Sequence, residues 1–248
     1  DLYLEAKVEA YEDLTKDKSS DKYQYLLPSF ELSKSFNNNL SLESNGYNKN
    51  YNTNIFEKVL INDLKYVSSP KISPTGLVKK LNILFKNVTT ESENSQEYSE
   101  NFRSQNFGSI LYELSFPMKK ESNKFDSFLS GKASLMYSPN KNKNIKDLDR
   151  KIDIKNVFSQ NRLGLNDSVE GGQSITLGAE YEIIDKENNS ILTAGLASVL
   201  RDKNEDKLPT NSTINNKSSD FIGSLNLKPS NNFNIEYNFS MDNDLNST

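Results

Sequence analysis

The 248-residue sequence contains neither cysteine nor histidine. The first absence rules out a disulfide framework and a thiolate site. The second removes Ser-His nucleophilic pairs, the commonest general base and the commonest zinc ligand together. Positive charge is not in excess either. Thirty Lys and Arg face 34 Asp and Glu, a net charge of −4, which argues against nucleic acid as a partner. Only 34% of residues are apolar, and no run of them approaches the roughly 18 needed for a transmembrane helix. No signal peptide is visible. The sequence opens at Asp1 without Met and stops at Thr248 in a polar run, so an internal piece of a longer protein is expected.

What is present is alternation. So much Asn, Ser and Lys suggests disorder, but aromatics reach 10% and the apolar residues recur at period two. In 173–183, Ile175, Leu177, Ala179, Tyr181 and Ile183 alternate with Ser174, Thr176, Gly178, Glu180 and Glu182. That is a strand with one apolar and one polar face. The preceding stretch, 156–172, is polar and punctuated by Gly164, Asp167, Gly171 and Gly172, and reads as an ordered loop.

Ten further strands repeat this plan. The first carries Leu2, Leu4, Ala6, Val8 and Ala10, and a polar link follows at 15–21. The second carries Leu26, Phe30 and Leu32, with Pro28 expected at a bulge or edge-like position. Asn37, Asn38 and Asn39 make a turn, 40–44 a short third strand and 45–52 a loop. In 53–67 the parity is unclear, with Phe56, Leu60 and Leu64 against Ile55, Val59 and Ile61, and a bulge would reconcile them. Strands at 76–88, 109–118 and 129–137 are separated by a long acidic loop, 89–105, and a turn, 119–126. The longest loop is 139–172. Then come 190–201, apolar on both faces, and strands 218–228 and 233–241, with a loop at 202–217. From the fourth strand onward short and long connections alternate, as in an up-and-down transmembrane β-barrel. Tyr66, Phe107, Tyr137 and Phe221 near strand ends suit interfacial girdles. A soluble sandwich also alternates, but it must fill a core and needs no such rhythm of connections. The fold class expected is all-β, an antiparallel up-and-down transmembrane barrel. About 11 strands are present, so residues 1–248 read as part of one incomplete barrel domain.

One stretch is more specific than generic barrel strands. Asn156, Val157, Phe158, Asn161, Arg162 and Leu163, then Asp167, Glu170 and Gly172, then Thr176, Leu177, Gly178 and Tyr181, together resemble the LptD family of LPS-assembly proteins. These are also called organic solvent tolerance proteins, and the likeness is to the C-terminal outer-membrane barrel part. Leu27-Pro28-Ser29-Phe30 and Gly223-Ser224-Leu225 are similar to other strands of that family. Ser168 and Ser174 stand where the family usually has Arg, and Leu165 where Gly is usual, which bears on any salt bridge built there.

The resemblance implies a Gram-negative outer-membrane protein that inserts lipopolysaccharide into the outer leaflet. It implies an N-terminal periplasmic domain and further strands outside this piece. It also implies an LptE-like plug lipoprotein, periplasmic bridge proteins reached through the missing domain, and outer-membrane lipids as partners. The loop motif would be Asn156, Phe158, Asn161, Arg162, Asp167, Gly172, Gly178 and Tyr181. Glu113, Glu180, Glu182, Asn234 and Glu236 would face the lumen.

No catalytic constellation, metal site or cofactor is expected, and the chain is not read as an enzyme. Glu180 and Glu182 are paired carboxylates in spacing only, with solvated lumen charges the plain reading. Asp147, Asp149 and Asp153 lack the Gly and closing Glu of a calcium loop. Lys141, Lys143, Lys146, Arg150 and Lys151 are either a solvated charged loop or contacts to lipopolysaccharide phosphates. A porin or passive channel stands as the alternative, and a soluble or surface adhesive β-domain as a third reading.

Overall fold

The computed structural model describes residues 2–14, 23–51, 54–187, 189–211, 213–230 and 232–242. The polar link 15–21 lies outside the described residues. Among the described residues twelve strands form: β1 Leu2–Glu12, β2 Tyr23–Ser35, β3 Leu40–Tyr51, β4 Phe56–Val67, β5 Lys71–Ile72, β6 Val78–Glu93, β7 Arg103–Glu121, β8 Phe125–Ser138, β9 Gly172–Asp185, β10 Ser190–Arg201, β11 Phe221–Ser230 and β12 Phe233–Met241. They make one sheet in the order β1-β2-β3-β4-β6-β7-β8-β9-β10-β11-β12, with β5 pairing β6 beside that path. The fold is all-β and antiparallel, each long strand beside its sequence neighbour. Among the described residues β1 and β12 end the sheet and it is not closed.

Contacts divide the chain into two compact units. The first comprises Asp1–Val67, Ile83–Gly108 and Asn166–Ser168. One face of its strands carries Glu5, Glu31, Asn45 and Ile61 in register, then Lys7, Ser29, Tyr47 and Val59. The pairings of β2 with β1 and with β3 slip at Pro28, between Lys7 and Glu9 on one side and Leu26 and Ser29 on the other. A residue without a backbone N–H sits where the ladder is already interrupted.

Four expectations need correction in this unit. Residues 45–50 are strand, not loop, and pair with β2 and β4. Asn and Gly have low strand propensity, but partners on both sides satisfy the backbone. Likewise 89–93 and 103–105 extend β6 and β7, leaving only 94–102 as loop. Thr90 and Ser92 are buried on the same face as Val88, so polar side chains continue an alternation that hydrophobicity alone does not register. No bulge reconciles β4, since its pairing with β3 runs unbroken from Tyr66 to Phe56. Instead Val59, Ile61 and Val88 are buried under Tyr47, Tyr98 and Phe107. Phe107 therefore belongs to this cluster and not to an outer girdle. Lys86 is buried here as well, donating to Asp63 at 3.0 Å and to the Asn166 carbonyl at 2.6 Å.

The second unit holds Ser68–Asn82, Ser109–Leu165 and Val169–Thr248. Its rows of paired residues separate two faces. Leu129, Tyr181, Ala194, Leu225 and Tyr237 share one, and Ser130, Glu180, Gly195, Ser224 and Asn238 share the next row on the other. The apolar face is uncovered: Leu177 is 49% exposed and Tyr237 58%, alongside Ile110, Leu135, Tyr137, Ile175, Leu196, Leu200 and Ile235. On the polar face Ala197, Val199 and Ile222 are buried under Ile145, Val157, Leu163, Leu165, Leu208 and Ile214 of loops 139–171 and 202–220. This explains why β10 reads as apolar on both sides. One side packs beneath loops and the other faces outward. The short β5 brings the strand count from 11 to 12. In 218–228 Ser218 bridges to Leu200 and the Ser219 N–H donates to the Val199 carbonyl, but the Val199 N–H turns to Ser219 Oγ and the Asp220 N–H to Thr213 Oγ1, so β11 begins only at Phe221.

On the apolar face Phe239 lies over Gly223, where an added Cβ would stand 2.1 Å from the ring. Gly223→Val should cost about 1–3 kcal/mol through overpacking. The same change at Gly131, where a Cβ meets nothing within 4 Å, should stay within about 0.5 kcal/mol. Urea unfolding in detergent micelles measures the difference, and equal costs would rule out the ring contact as the cause.

Candidate functional site: a loop anchored on the polar face

Loop 139–171 is held from its own sequence upward. Asp153 and Asn156 exchange side chain to backbone hydrogen bonds, both at 2.9 Å, closing a tight turn. Asn161 does the same across the next turn, its Oδ1 accepting from the Leu165 N–H at 2.7 Å and its Nδ2 donating to the Leu165 carbonyl at 2.9 Å. Gly164 follows with φ of 61°, a conformation glycine adopts without strain. Arg150 donates to the Leu163 and Gly164 carbonyls at 3.2 and 3.0 Å, so its guanidinium is engaged within the loop.

The anchor is a buried ionic triad. Arg162 meets Glu170 through Nε at 2.8 Å and Nη2 at 2.5 Å, and Arg201 Nη1 donates to the same carboxylate. Arg162 also donates to Thr176 Oγ1 at 3.1 Å and Ser174 Oγ at 2.9 Å, and Arg201 to the Gly171 carbonyl at 2.6 Å. All three side chains are at most 2% exposed. Burial pushes the Glu170 carboxyl up, but the charges and hydrogen bonds of Arg162 and Arg201 outweigh it and hold the group below the usual carboxylate range. Such bidentate, charge-assisted bonds fix geometry as well as charge. Ser174 is paired in register with Arg201. Arg201 on the next strand supplies the second guanidinium on Glu170, so the loop's carboxylate is held by a salt bridge on each side.

The second loop braces the first. Asn142 accepts from the Gly171 N–H at 2.7 Å and donates to Glu205 at 3.0 Å, while Ile145 N–H reaches the Lys207 carbonyl at 2.9 Å. Phe158 sits over Gly178, with Lys132 Nζ 5.7 Å from its ring centroid. Gly172, with φ of 95°, starts β9. Tyr181 falls on the apolar face, between Leu129 and Ala194 in its row. Asp167 lies in the short segment Asn166–Ser168 of the first unit, where its charge helps raise the Tyr98 hydroxyl pKa, burial being the larger cause.

The five candidate lumen residues all occupy the polar face. Glu180 pairs with Lys132 at 2.6 Å, and Glu113 accepts from Asn82 with Lys80 at 3.9 Å. Glu236 meets Lys155 at 3.3 Å, while Glu182 and Asn234 lie in the same alternating set. Lys141, Lys146 and Lys151 are exposed and Lys143 is half-buried, so the lysines are spread along the loop rather than gathered. Sequence reasoning missed Arg201, Gly195 and Lys132. An arginine in phase with Ala197 and Val199 on a buried face was the available signal for the first.

The sequence of residues 79–248 matches the profile of LptD, LPS transport system D. The chain belongs to the LptD family. The match spans β7 to β12 and nearly all of β6, including the anchored loop and both strands of its triad. LptD proteins form a transport family rather than an enzymatic one, and this member is involved in LPS transport and outer-membrane biogenesis. Among curated proteins none matches this sequence.

Proposed function

We propose that this chain is wall and loop of an LptD-type outer-membrane translocon that inserts lipopolysaccharide into the outer leaflet. One observation carries the reading: the sheet leaves an apolar face bare while its polar face holds folded, hydrogen-bonded loops. A water-soluble protein would cover so large an apolar surface. Lipid on that side, with a hydrated lumen on the other, satisfies both faces. Glu113, Glu180, Glu182, Asn234 and Glu236 then line the lumen, where an LptE-like plug lipoprotein would dock. Periplasmic bridge proteins would deliver the cargo through a domain outside these residues. Lys141, Lys146 and Lys151, exposed on the loop, are the groups free to meet lipopolysaccharide phosphates. The motif from Asn156 to Tyr181 serves to order the loop against the wall.

Depletion of the parent protein tests this. Lipopolysaccharide at the cell surface should fall, and unchanged surface lipopolysaccharide would end the reading. Loss of small-solute uptake alone would point to a passive diffusion channel.

A further inference from the structure

The outward apolar runs of the second unit end in lysine on the side of the short turns. Along β7, Leu114, Phe116 and Met118 lead to Lys120. Lys120 also closes the outward row of Ser127, Ile183, Leu192, Leu227 and Ile235. Along β6, Leu81 leads to Lys79, which faces outward because Lys80 and Asn82 reach Glu113 on the polar side. At the long-loop end the outward groove of Tyr137, Ile175 and Leu200 closes instead with Gln173 and Asp202. Lys71 of β5 pairs in register with Lys79. Two like charges thus stand directly opposite each other, which is unfavourable unless an anion lies beside them. Lys71, Lys79 and Lys120 are exposed, and among the described residues none of them has a carboxylate within ion-pair distance. The polar face at the same rim is the reverse. There Lys119 meets Glu121 at 2.7 Å and Asp126 at 3.4 Å, and Lys186 meets Asp126 at 2.5 Å. Asp185, opposite Phe125 at that rim, is taken up by its own turn and accepts from the Glu187 and Asn189 N–H groups, both at 2.8 Å. Composition does not account for the unpaired lysines, since the whole chain carries a net charge of −4.

We propose that Lys71, Lys79 and Lys120 form a strip that binds anionic phospholipid headgroups in the leaflet at the short-turn end of the sheet. Phe116 and Met118, 40% and 43% exposed, supply apolar ground for the acyl chains beside it. Long lysine stems let the ammonium groups reach headgroup phosphates from the edge of that ground. The inference rests on reading the apolar face as lipid-facing. Each lysine near an anionic lipid surface adds up to about five-fold in preference at low salt.

The full-length protein in phosphatidylcholine vesicles carrying a trace of spin-labelled lipid tests this, through the fraction of label immobilised at the protein surface. Labelled phosphatidylglycerol should be preferred several-fold over labelled phosphatidylcholine, and high salt should erase the preference. Lys71→Gln with Lys79→Gln and Lys120→Gln should remove most of it. Lys71→Arg with Lys79→Arg and Lys120→Arg should keep it, because charge and not the lysine itself is what the headgroup meets. An unchanged preference in the glutamine variant would overturn the proposal, as would an equal loss from Lys119→Gln with Lys186→Gln on the paired face. Equal immobilisation of the two lipids by the wild type would sink the strip alone. Immobilisation of neither would sink the lipid-facing reading beneath it.

Discussion

Glu170→Gln should detach loop 139–171 from β9 and β10 at a cost of about 3–5 kcal/mol, the usual penalty for removing one partner of a buried ion group. Two guanidiniums, of Arg162 and Arg201, would then lie buried with no counter-charge. Limited proteolysis within 139–171, against denaturant, measures this. Cleavage no faster than in the wild type would show that the triad does not anchor the loop. A compensated variant sharpens the test. Arg162→Met, Glu170→Leu and Arg201→Met together remove every charge and should recover much of the loss, since apolar groups of similar volume often replace buried ion groups at no net cost. The pH dependence has a fixed sign. The folded-state pKa of Glu170 lies below its usual value of 4.5. Its contribution is therefore fully present above pH 4.5 and is lost only as pH falls through the lowered value. Loop protection should persist at pH 5 and fade below that range, and Glu170→Gln should abolish this dependence.

Leu177→Arg should destabilise the protein by about 2–4 kcal/mol in a bilayer, because Leu177 is on the uncovered apolar face near the middle of β9. Thr193→Arg, on the polar face of β10 opposite Glu182, should change stability by less than about 1 kcal/mol. Folding into lipid vesicles, read by heat-modifiable gel mobility, gives both values. The sign of the first decides the environment. Were that face in water, an arginine there would improve solubility and cost nothing, and the membrane reading would fall.

Strand existence and facing were legible wherever a strand has one apolar and one polar face. Ile175, Leu177, Tyr181 and Ile183 declare β9 without any partner strand. Legibility failed where both faces are polar. Residues 89–93 and 103–105 are polar on each side, and 45–50 carry one aromatic, Tyr47, so period two leaves almost no hydrophobic trace. It failed also for β4 and β10, whose second face is apolar because a loop packs on it. The motif residues Asn161 and Arg162 could be named, but their work could not. Arg162 needs Glu170, eight residues on, and Arg201, which no local spacing ties to either.

The sequence by itself determined the fold class, the facing of the strands that alternate cleanly, such as β9 and β12, and the absence of thiol and imidazole side chains, because each follows from residue type and a period of two. Only the tertiary structure decided which loop lies on which strands, that Arg201 joins Arg162 on Glu170, and that Phe158 and Ile154 pack over Gly178 and Gly195. These are contacts between residues far apart in the chain. They are set by strand register and by the space a missing side chain leaves, and neither is written in any one stretch of sequence.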